Sequence, residues 1–340
     1  MERPGQCGAL KSPMLSEFDL IKQYFQRPPP GNAGTILGIG DDCALLQSTP
    51  GRQMAISSDM LVEGRHFFAG ADAHMLGHKS LAVNLSDLAA MGARPTAFTL
   101  ALALPEANRA WLAGFSEGLF DIADAHQCEL IGGDTTKGPL TICITVFGEL
   151  VPGQALRRAA AQPGDDIWIS GTLGDARLAL GAYWNEQTLA PDQLARAAAR
   201  MHMPTPRVAL GRLLAENGLA HAALDISDGL IGDLGHILAA SGVGATVDAD
   251  ALPAGPVLAT HPQALRRRFT VAGGDDYELC FTAPPRQRDA IVAAGRACAT
   301  PVTRVGAIDA LSGLRWIDAH GAPLELGLHG WDHFSSQDNS

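Results

Sequence analysis

The sequence predicts an α/β protein of the α+β type, folded as two domains. Three observations predict it. A chain of 340 residues is longer than one core usually organises. Strand-like and helix-like stretches mix without strict βαβ alternation, which disfavours a doubly wound sheet. Both halves repeat one rhythm, an apolar strand, a Gly/Ser–Asp turn and a helix, with no fixed solenoid-like period.

The elements follow in order. Residues 1–15 read as a flexible extension, polar and bearing Gly and Pro up to Pro13. Ser16 is a suitable N-cap for a short helix through Phe25, which Arg27-Pro28-Pro29-Pro30-Gly31 ends. A Gly38–Asp42 loop leads to strands over 43–47 and 53–58, the second ending in Ser57-Ser58-Asp59. Residues 73–91 predict a helix closed by Gly92, with Asn84 and Asp87 on one face. A buried strand over 96–104 precedes an amphipathic helix over 108–126, with Trp111, Leu112, Phe115, Leu119 and Ile122 at helical spacing. Leu130-Ile131 runs into a glycine–acid turn over 132–136, and 140–150 is a strand.

Between 151 and 164 the character changes to Arg157-Arg158, an Ala run and Pro163-Gly164. This places the domains at 16–151 and 152–334, with a frayed tail over 335–340. Beyond it, strands are expected over 166–170, 222–226, 279–282 and 302–307. Helices are expected after Gly171 and over 193–202, 206–217, 230–240 and 286–297. Residues 330–334 carry an aromatic cluster.

Composition narrows the function classes. Hydrophobic residues at 46% and charged residues at 18% suit a packed globular protein. A net charge of −11 argues against a nucleic-acid or membrane-surface partner. Six scattered cysteines without a CxxC, and no visible secretory pattern, predict reduced thiols in a cytoplasmic protein. The apolar runs are too short to span a bilayer.

The candidate chemistry lies in carboxylates. Asp42, Asp59, Asp87, Asp134, Asp225 and Asp228 stand at the ends of apolar segments, several beside Gly or Ser. A single such Asp is more often a helix cap or a solvated turn former. Six of them are better explained by a shared multi-metal site. Mg²⁺ takes a few carboxylates and completes its shell with water and substrate phosphates. Small neighbours let a phosphate approach, and exposed turn N–H groups bind its oxygens. There is no GxxxxGK[ST] loop, no protein-kinase motif set, no dinucleotide fingerprint and no HExxH. Asp248-Ala249-Asp250 only superficially resembles a phosphatase DxD. An EF-type calcium loop, expected of a metal-binding scaffold, is absent from the sequence.

Six motifs in order resemble the thiamine-monophosphate kinase family. They are Gly38-Ile39-Gly40-Asp41-Asp42-Cys43, Ser57-Ser58-Asp59-Met60-Leu61-Val62-Glu63-Gly64-Arg65-His66-Phe67, Asn84-Leu85-Ser86-Asp87-Leu88-Ala89-Ala90-Met91-Gly92, Gly132-Gly133-Asp134-Thr135, Asp225-Ile226-Ser227-Asp228-Gly229, and Gly273-Gly274-Asp275-Asp276-Tyr277-Glu278. The resemblance covers about Ser16 to Phe334. It implies the aminoimidazole-ribonucleotide-synthetase-like fold, with an N-terminal α/β dimerisation domain, a C-terminal α+β domain and a homodimer. It implies transfer of the ATP γ-phosphate to thiamine monophosphate, with ATP as co-substrate and several Mg²⁺ ions. Asp42, Ser57, Ser58, Asp59, Asp87, Asp134, Asp225 and Asp228 are then metal ligands. Gly133, Asp134, Arg158 and Ser227 contact ATP, and His66, Asp275 and Trp331 contact thiamine monophosphate. Two positions depart from the family pattern: Asp275 replaces a usual Glu, and Trp331 stands where a Tyr is common. The rivals are a cyclo-ligase or a selenophosphate synthetase of the same superfamily, although Cys7 lies in a poor context for the latter, and a non-catalytic metal-binding scaffold.

The chemistry agrees with the resemblance. The acceptor is a phosphate, mostly deprotonated at neutral pH. It needs no strong base, only relief of repulsion between polyanions and in-line alignment.

Overall fold

A computed structural model describes residues 16–27, 34–328 and 330. The expected N-terminal extension with Cys7, most of the Pro28–Gly31 stop, Trp331 and the rest of the aromatic cluster, and the frayed tail lie outside the described residues.

The chain opens with α1 (Glu17–Leu20), continued by a wider turn over Ile21–Phe25, and a small hairpin of β1 (Thr35–Leu37) and β2 (Leu45–Leu46). Then come β3 (Gln53–Val62), α2 (Ala73–Met91), β4 (Arg94–Leu104), α3 (Arg109–Ala125), β5 (Glu129–Lys137) and β6 (Thr141–Leu150). These strands form a four-stranded sheet in the order β3-β6-β4-β5, antiparallel except for the β4–β5 pair.

The second half holds β7 (Asp166–Ser170), α4 (Asp175–Tyr183), α5 (Pro191–His202), α6 (Val208–Glu216), β8 (Ala222–Ile226), α7 (Leu230–Ser241), β9 (Gly244–Asp248), α8 (Gln263–Ala272), β10 (Glu278–Ala283), α9 (Arg288–Ala297), β11 (Val302–Asp309), β12 (Gly313–Ile317) and β13 (Pro323–Leu324). Its seven-stranded sheet runs β13-β12-β9-β11-β7-β10-β8, and among these strands only β9 and β12 pair in parallel. The antiparallel majority in both sheets bears out the α+β expectation.

Helix α2 joins the halves. Asp72 caps it by accepting from the Met75 N–H at 2.9 Å, and Gly92 closes it in the left-handed region at φ 73°. Among residues 79–90 only Asp87 escapes burial, so almost every face of the helix is covered. The covering is close because glycines permit it. A Cβ on Gly77 or Gly118 would strike the backbone of the facing helix in the α2–α3 pair, and a Cβ on Gly211 of α6 would strike the Ala89 carbonyl. Leu81, Leu85 and Leu88 of α2 share one core with Leu102 and Ile144 of the first sheet and Leu210 and Phe281 of the second half. A helix held this tightly is a rigid mount for the single carboxylate it leaves uncovered.

Three sequence expectations change. The expected strand over 43–47 shrinks to Leu45–Leu46. The strand expected to end at Ser58 continues to Val62, because β6 offers an antiparallel partner to each of its ten residues. Asp59 is therefore within a strand rather than after one. Residues 132–136, expected as a turn, lie within β5. Gly133 is needed there because a Cβ would collide with the Leu100 carbonyl of β4. Helix α8 and strands β9, β12 and β13 have no counterpart in the sequence expectations. Among the described residues, no helix is long and apolar enough to cross a membrane, and Cys128 and Cys280 are buried free thiols.

Candidate active site

Side chains alternate across β3, and this sorts its three site candidates. Ser57 and Asp59 face α2: the Ser57 hydroxyl donates to Asp87 Oδ2, and the Asp59 N–H donates to Asn84 Oδ1 at 3.1 Å. Ser58 faces the other side, with its Oγ 3.0 Å from Thr145 Oγ1.

The second half completes the same cleft with two adjacent antiparallel segments. Strand β8 carries Asp225 as its penultimate residue and ends at Ile226, followed by Ser227, Asp228 and Gly229. The loop over 273–277, just before β10, is zipped onto it: Asp275 N–H donates to the Ser227 carbonyl and Tyr277 N–H to the Ile226 carbonyl, both at 2.8 Å. Glu278 anchors that loop from below. It is fully buried, accepts from the Ser170 hydroxyl and Arg207 Nε at 2.6 Å each, and from Arg200 at 2.9 Å. Three charged or polar side chains satisfy a carboxylate that would otherwise be costly to bury.

The cleft is electrostatically short of positive charge. Burial raises the Asp59 carboxyl to about 6, helped by Asp87 and Asp228. Burial and then the Asp87 charge raise Asp225 to about 7. Asp87 is also raised by burial, with the Ser57 hydrogen bond and the Arg158 charge pulling it back. Arg158 therefore stands near Asp87.

Asp233, which the sequence reading passed over, belongs here too. Its Oδ2 accepts from the N–H groups of Ser227 and Asp228 at 3.1 Å each. Burial, then Asp228, pushes it to about 7. The signal was present: an acid in the first turn of a helix whose entry loop carries free N–H donors. Asn84, Lys79 and Tyr277 were also unassigned. Lys79, almost completely buried on α2, places Nζ 3.2 Å from Asp275 Oδ1, and Tyr277 donates to the same oxygen at 3.3 Å.

Among the described residues, no three His, Cys, Asp or Glu side chains form a ready-made metal cage. The donor set nevertheless fits Mg²⁺. It consists of hard oxygens that repel one another, and this ion takes a few carboxylates and leaves the rest of its shell to water and phosphate.

Two candidates lie elsewhere. Asp42 is exposed in the β1–β2 loop, its N–H bonded to Asp41 Oδ1. Asp134 is exposed on β5, in register with Ala101 of β4. Ala101 points away from the helix-facing Leu100 and Leu102, so Asp134 occupies the open face of the sheet. Strands β3 and β5 are opposite edges with two strands between them, about 14 Å apart. Asp134 and Asp59 therefore differ in both edge and face.

Two family models match the chain: AIR synthase related protein, N-terminal domain, over residues 40–150, and the corresponding C-terminal domain over 162–316. The thiamine-monophosphate kinase of Salmonella typhimurium is 44% identical over 94% of this chain and 98% of its own length. That of Escherichia coli K12 is 45% identical over the same shares. The chain belongs to the thiamine-monophosphate kinase family. It is thus a member of an enzyme family built from two AIR-synthase-related domains. A crystal structure of the family from Stenotrophomonas maltophilia superposes with a TM-score of 0.80 at 48% identity, covering 86% of this chain and 93% of that one. AaThiL complexed with AMPPCP and TMP gives 0.72 at 27% identity, covering 96% and 100%. Hydrogenase maturation protein HypE, at 22% identity and a TM-score of 0.71, shares the fold.

Of the family-implied substrate positions, His66 and Asp275 are among the described residues. His66 lies in the turn after β3, where its Nδ1 accepts from the Val62 N–H at 3.0 Å. Asp275 sits at φ 66° in the left-handed region, which short polar Asp tolerates far better than a longer side chain. This gives a local reason for Asp where the family commonly has Glu. Trp331 lies outside the described residues. The last described one, Gly330, lies against α7, where a Cβ on it would stand 3.0 Å from Gly232 Cα.

Proposed function

We propose that this chain transfers the γ-phosphate of ATP to thiamine monophosphate, the last step in making thiamine diphosphate. The observation that carries this reading is similarity over nearly the whole chain, at 44–45% identity, to enzymes of that name. The cation-deficient carboxylate cleft supports it chemically. An oxygen of the acceptor phosphate forms a new bond to the γ-phosphorus while the bond to the ADP oxygen breaks. Both reactants are polyanions, so alignment and charge neutralisation supply the catalysis.

Ser57, Asp59, Asp87, Asp225 and Asp228 hold Mg²⁺ in this scheme, together with Asp42 and Asp134. Ser58, whose side chain faces away, takes part through its carbonyl oxygen. Mg²⁺, when bound, supplies the positive charge that lets phosphates approach this acid-rich cleft. Arg158, Gly133 and Ser227 serve ATP, while His66, Asp275 and Trp331 serve thiamine monophosphate. Asp233 holds the N–H groups of Ser227 and Asp228 in place.

The protein acts as a homodimer in the cytoplasm, divided near residue 151 into its two domains. The open face of the first sheet carries Ile56 and Met60, each more than half exposed. An apolar face of this kind suits a second copy. Packing two such faces brings Asp134 and Gly133 of one copy toward the cleft of the other.

Purified protein incubated with ATP, Mg²⁺ and thiamine monophosphate should yield thiamine diphosphate by mass spectrometry. With γ-labelled ATP alone it should retain no label after denaturation. A stoichiometric acyl-phosphate would overturn direct transfer.

A further inference from the structure

Three aromatic rings meet at one rim of the cleft. Phe68 comes from the loop between β3 and α2, Tyr183 ends α4, and His202 ends α5. The Phe68 and Tyr183 rings meet edge to face with centroids 5.4 Å apart. The Tyr183 and His202 rings are 5.9 Å apart, with the phenol oxygen 3.2 Å from His202 Nε2. A single exposed aromatic means little. Here Phe68 and Tyr183 touch each other, come from different domains, and each leaves about 40% of its surface open.

The wall has a charged floor. His202 loses basicity first through burial and then through the Lys79 ammonium, while Asp275 and Asp72 act in the opposite sense. The ring therefore lies beside the pair of buried Lys79 and half-buried Asp275. Tyr183 and His202 carry no family-implied role, and Phe68 lies just past the Phe67 that ends its motif.

We propose that Phe68, Tyr183 and His202 form the surface that reads the two rings of thiamine monophosphate, with the Asp275 carboxylate answering the positive charge of the thiazolium. This deepens the proposed function and rests on it. The match is chemical. A flat aminopyrimidine and a cationic thiazolium want π faces on one side and a negative charge nearby. The phosphate end wants the Asp59–Asp225 cleft. The floor supplies the charge, the wall supplies the faces, and Lys79, 3.2 Å from Asp275 Oδ1, orients the half-buried Asp275.

The test uses the full-length protein and steady-state kinetics. Wild-type protein is first shown to make thiamine diphosphate; if it does not, the proposed function itself falls, and the wall is not what failed. Tyr183→Leu and Phe68→Leu keep apolar bulk at partly exposed positions and remove the ring. Each should raise KM for thiamine monophosphate ~10-fold, the scale of losing a stacked aromatic, with kcat and KM for ATP within ~2-fold. Tyr183→Phe should recover most of the loss. Unphosphorylated thiamine should compete against wild type and lose that competition against Tyr183→Leu, while inhibition by inorganic phosphate is unchanged. An unchanged KM for thiamine monophosphate in an active, folded Tyr183→Leu protein overturns the assignment. So does a changed dimer mass with unchanged KM, which would make the wall a packing contact. If Tyr183→Leu lowers the melting temperature, Phe68→Leu and the thiamine competition decide by the same criteria.

Discussion

Two sets of carboxylates in this chain are built in opposite ways. On the outer parts of the second half, Asp166 is held by Arg288 Nε at 2.6 Å and by Arg304 at 3.4 Å, and Asp250 is gripped by Arg267 at 2.6 and 2.8 Å. Both are held below the ordinary carboxylate range, chiefly by those guanidinium hydrogen bonds. In the cleft, Asp59, Asp225 and Asp233 are pushed the other way, to about 6, 7 and 7, first by burial and then by neighbouring carboxylates, chiefly Asp87 and Asp228. The first set is finished within the chain and staples loops together. In the second, Asp233 is satisfied by two backbone N–H groups, whereas Asp59 and Asp225 have no ion-pair partner among the described residues; the cation of the proposed function would complete those two. A protein that places Arg beside Asp166 and Asp250 but not beside Asp225 leaves the Asp225 carboxylate open to the ligand of the proposed function.

The sharpest way to break this contrast is to neutralise one acid of the cleft. Asp225→Asn and Asp134→Asn should each lower kcat ~10²–10³-fold, the usual effect of removing one electrostatic clamp. Because Asp134 sits on the opposite edge and face of the sheet, the two variants should also complement each other. Unfolded together and refolded as mixed dimers, they should recover up to about a quarter of wild-type activity, since half of the dimers would carry one intact site. Failure to recover any activity in verified mixed dimers would place Asp134 in its own chain's site and remove the argument for a shared one.

Stability should respond with opposite signs in the two sets. Arg267→Met strips Asp250 of two charged hydrogen bonds and should cost about 1–2 kcal/mol, reduced by solvent screening, with kcat unchanged. Asp225→Asn removes a buried charge facing Asp87 and should stabilise the metal-free protein while abolishing turnover. Chemical denaturation in the presence of a chelator reads both. A metal-free Asp225→Asn protein less stable than wild type would mean that Asp225 is already satisfied, and the distinction between the sets would collapse.

The sequence made much of this legible, for reasons that can be named. Helix α2 was expected over 73–91 and found there, because its Gly92 stop and continuous apolar faces are local signals. The strand at Ala222–Ile226 and its Ser227–Asp228–Gly229 loop were equally plain. Faces were not legible where a glycine spoke for two causes. Gly133 reads as a turn former, and only the closeness of Leu100 on a neighbouring strand shows that it belongs to a sheet. The segment-end description failed for Asp134 on that account, and for Asp59 because β6 pairs with β3 as far as Val62. Asp233 was legible only as an acid in the first turn of a helix; its partners are backbone N–H groups, which leave no mark on side-chain spacing. The Phe68–Tyr183–His202 wall was invisible because it draws on three elements from two domains.

The finest test of the contrast is its pH dependence. Asp225 has a folded value of about 7, against an unfolded carboxyl near ~3.9. The folded state therefore holds this proton where the unfolded state has released it. The stability it provides is full below about pH 4, falls as pH rises toward about 7, and is level above that, where both states are ionised. Asp166 runs the opposite way: its contribution is present above the unfolded value and disappears only as pH falls through its lowered folded value. The buried His78, His126 and His202 are lowered, first by burial, and add a slope of the opposite sign near neutrality. The clean measurement is therefore a difference. In chelator, the melting temperature of Asp225→Asn minus that of wild type should grow between pH 5 and 7 by a few degrees and then level off, the scale of a kcal/mol-sized change in a chain of this length. Saturating Mg²⁺ at pH 8 should close the gap by stabilising wild type. Asp250→Asn should show no such growth, because its pair is already complete throughout that range. A difference that stays flat from pH 5 to 8 would mean that Asp225 is ionised and compensated without any ligand, as Asp250 is.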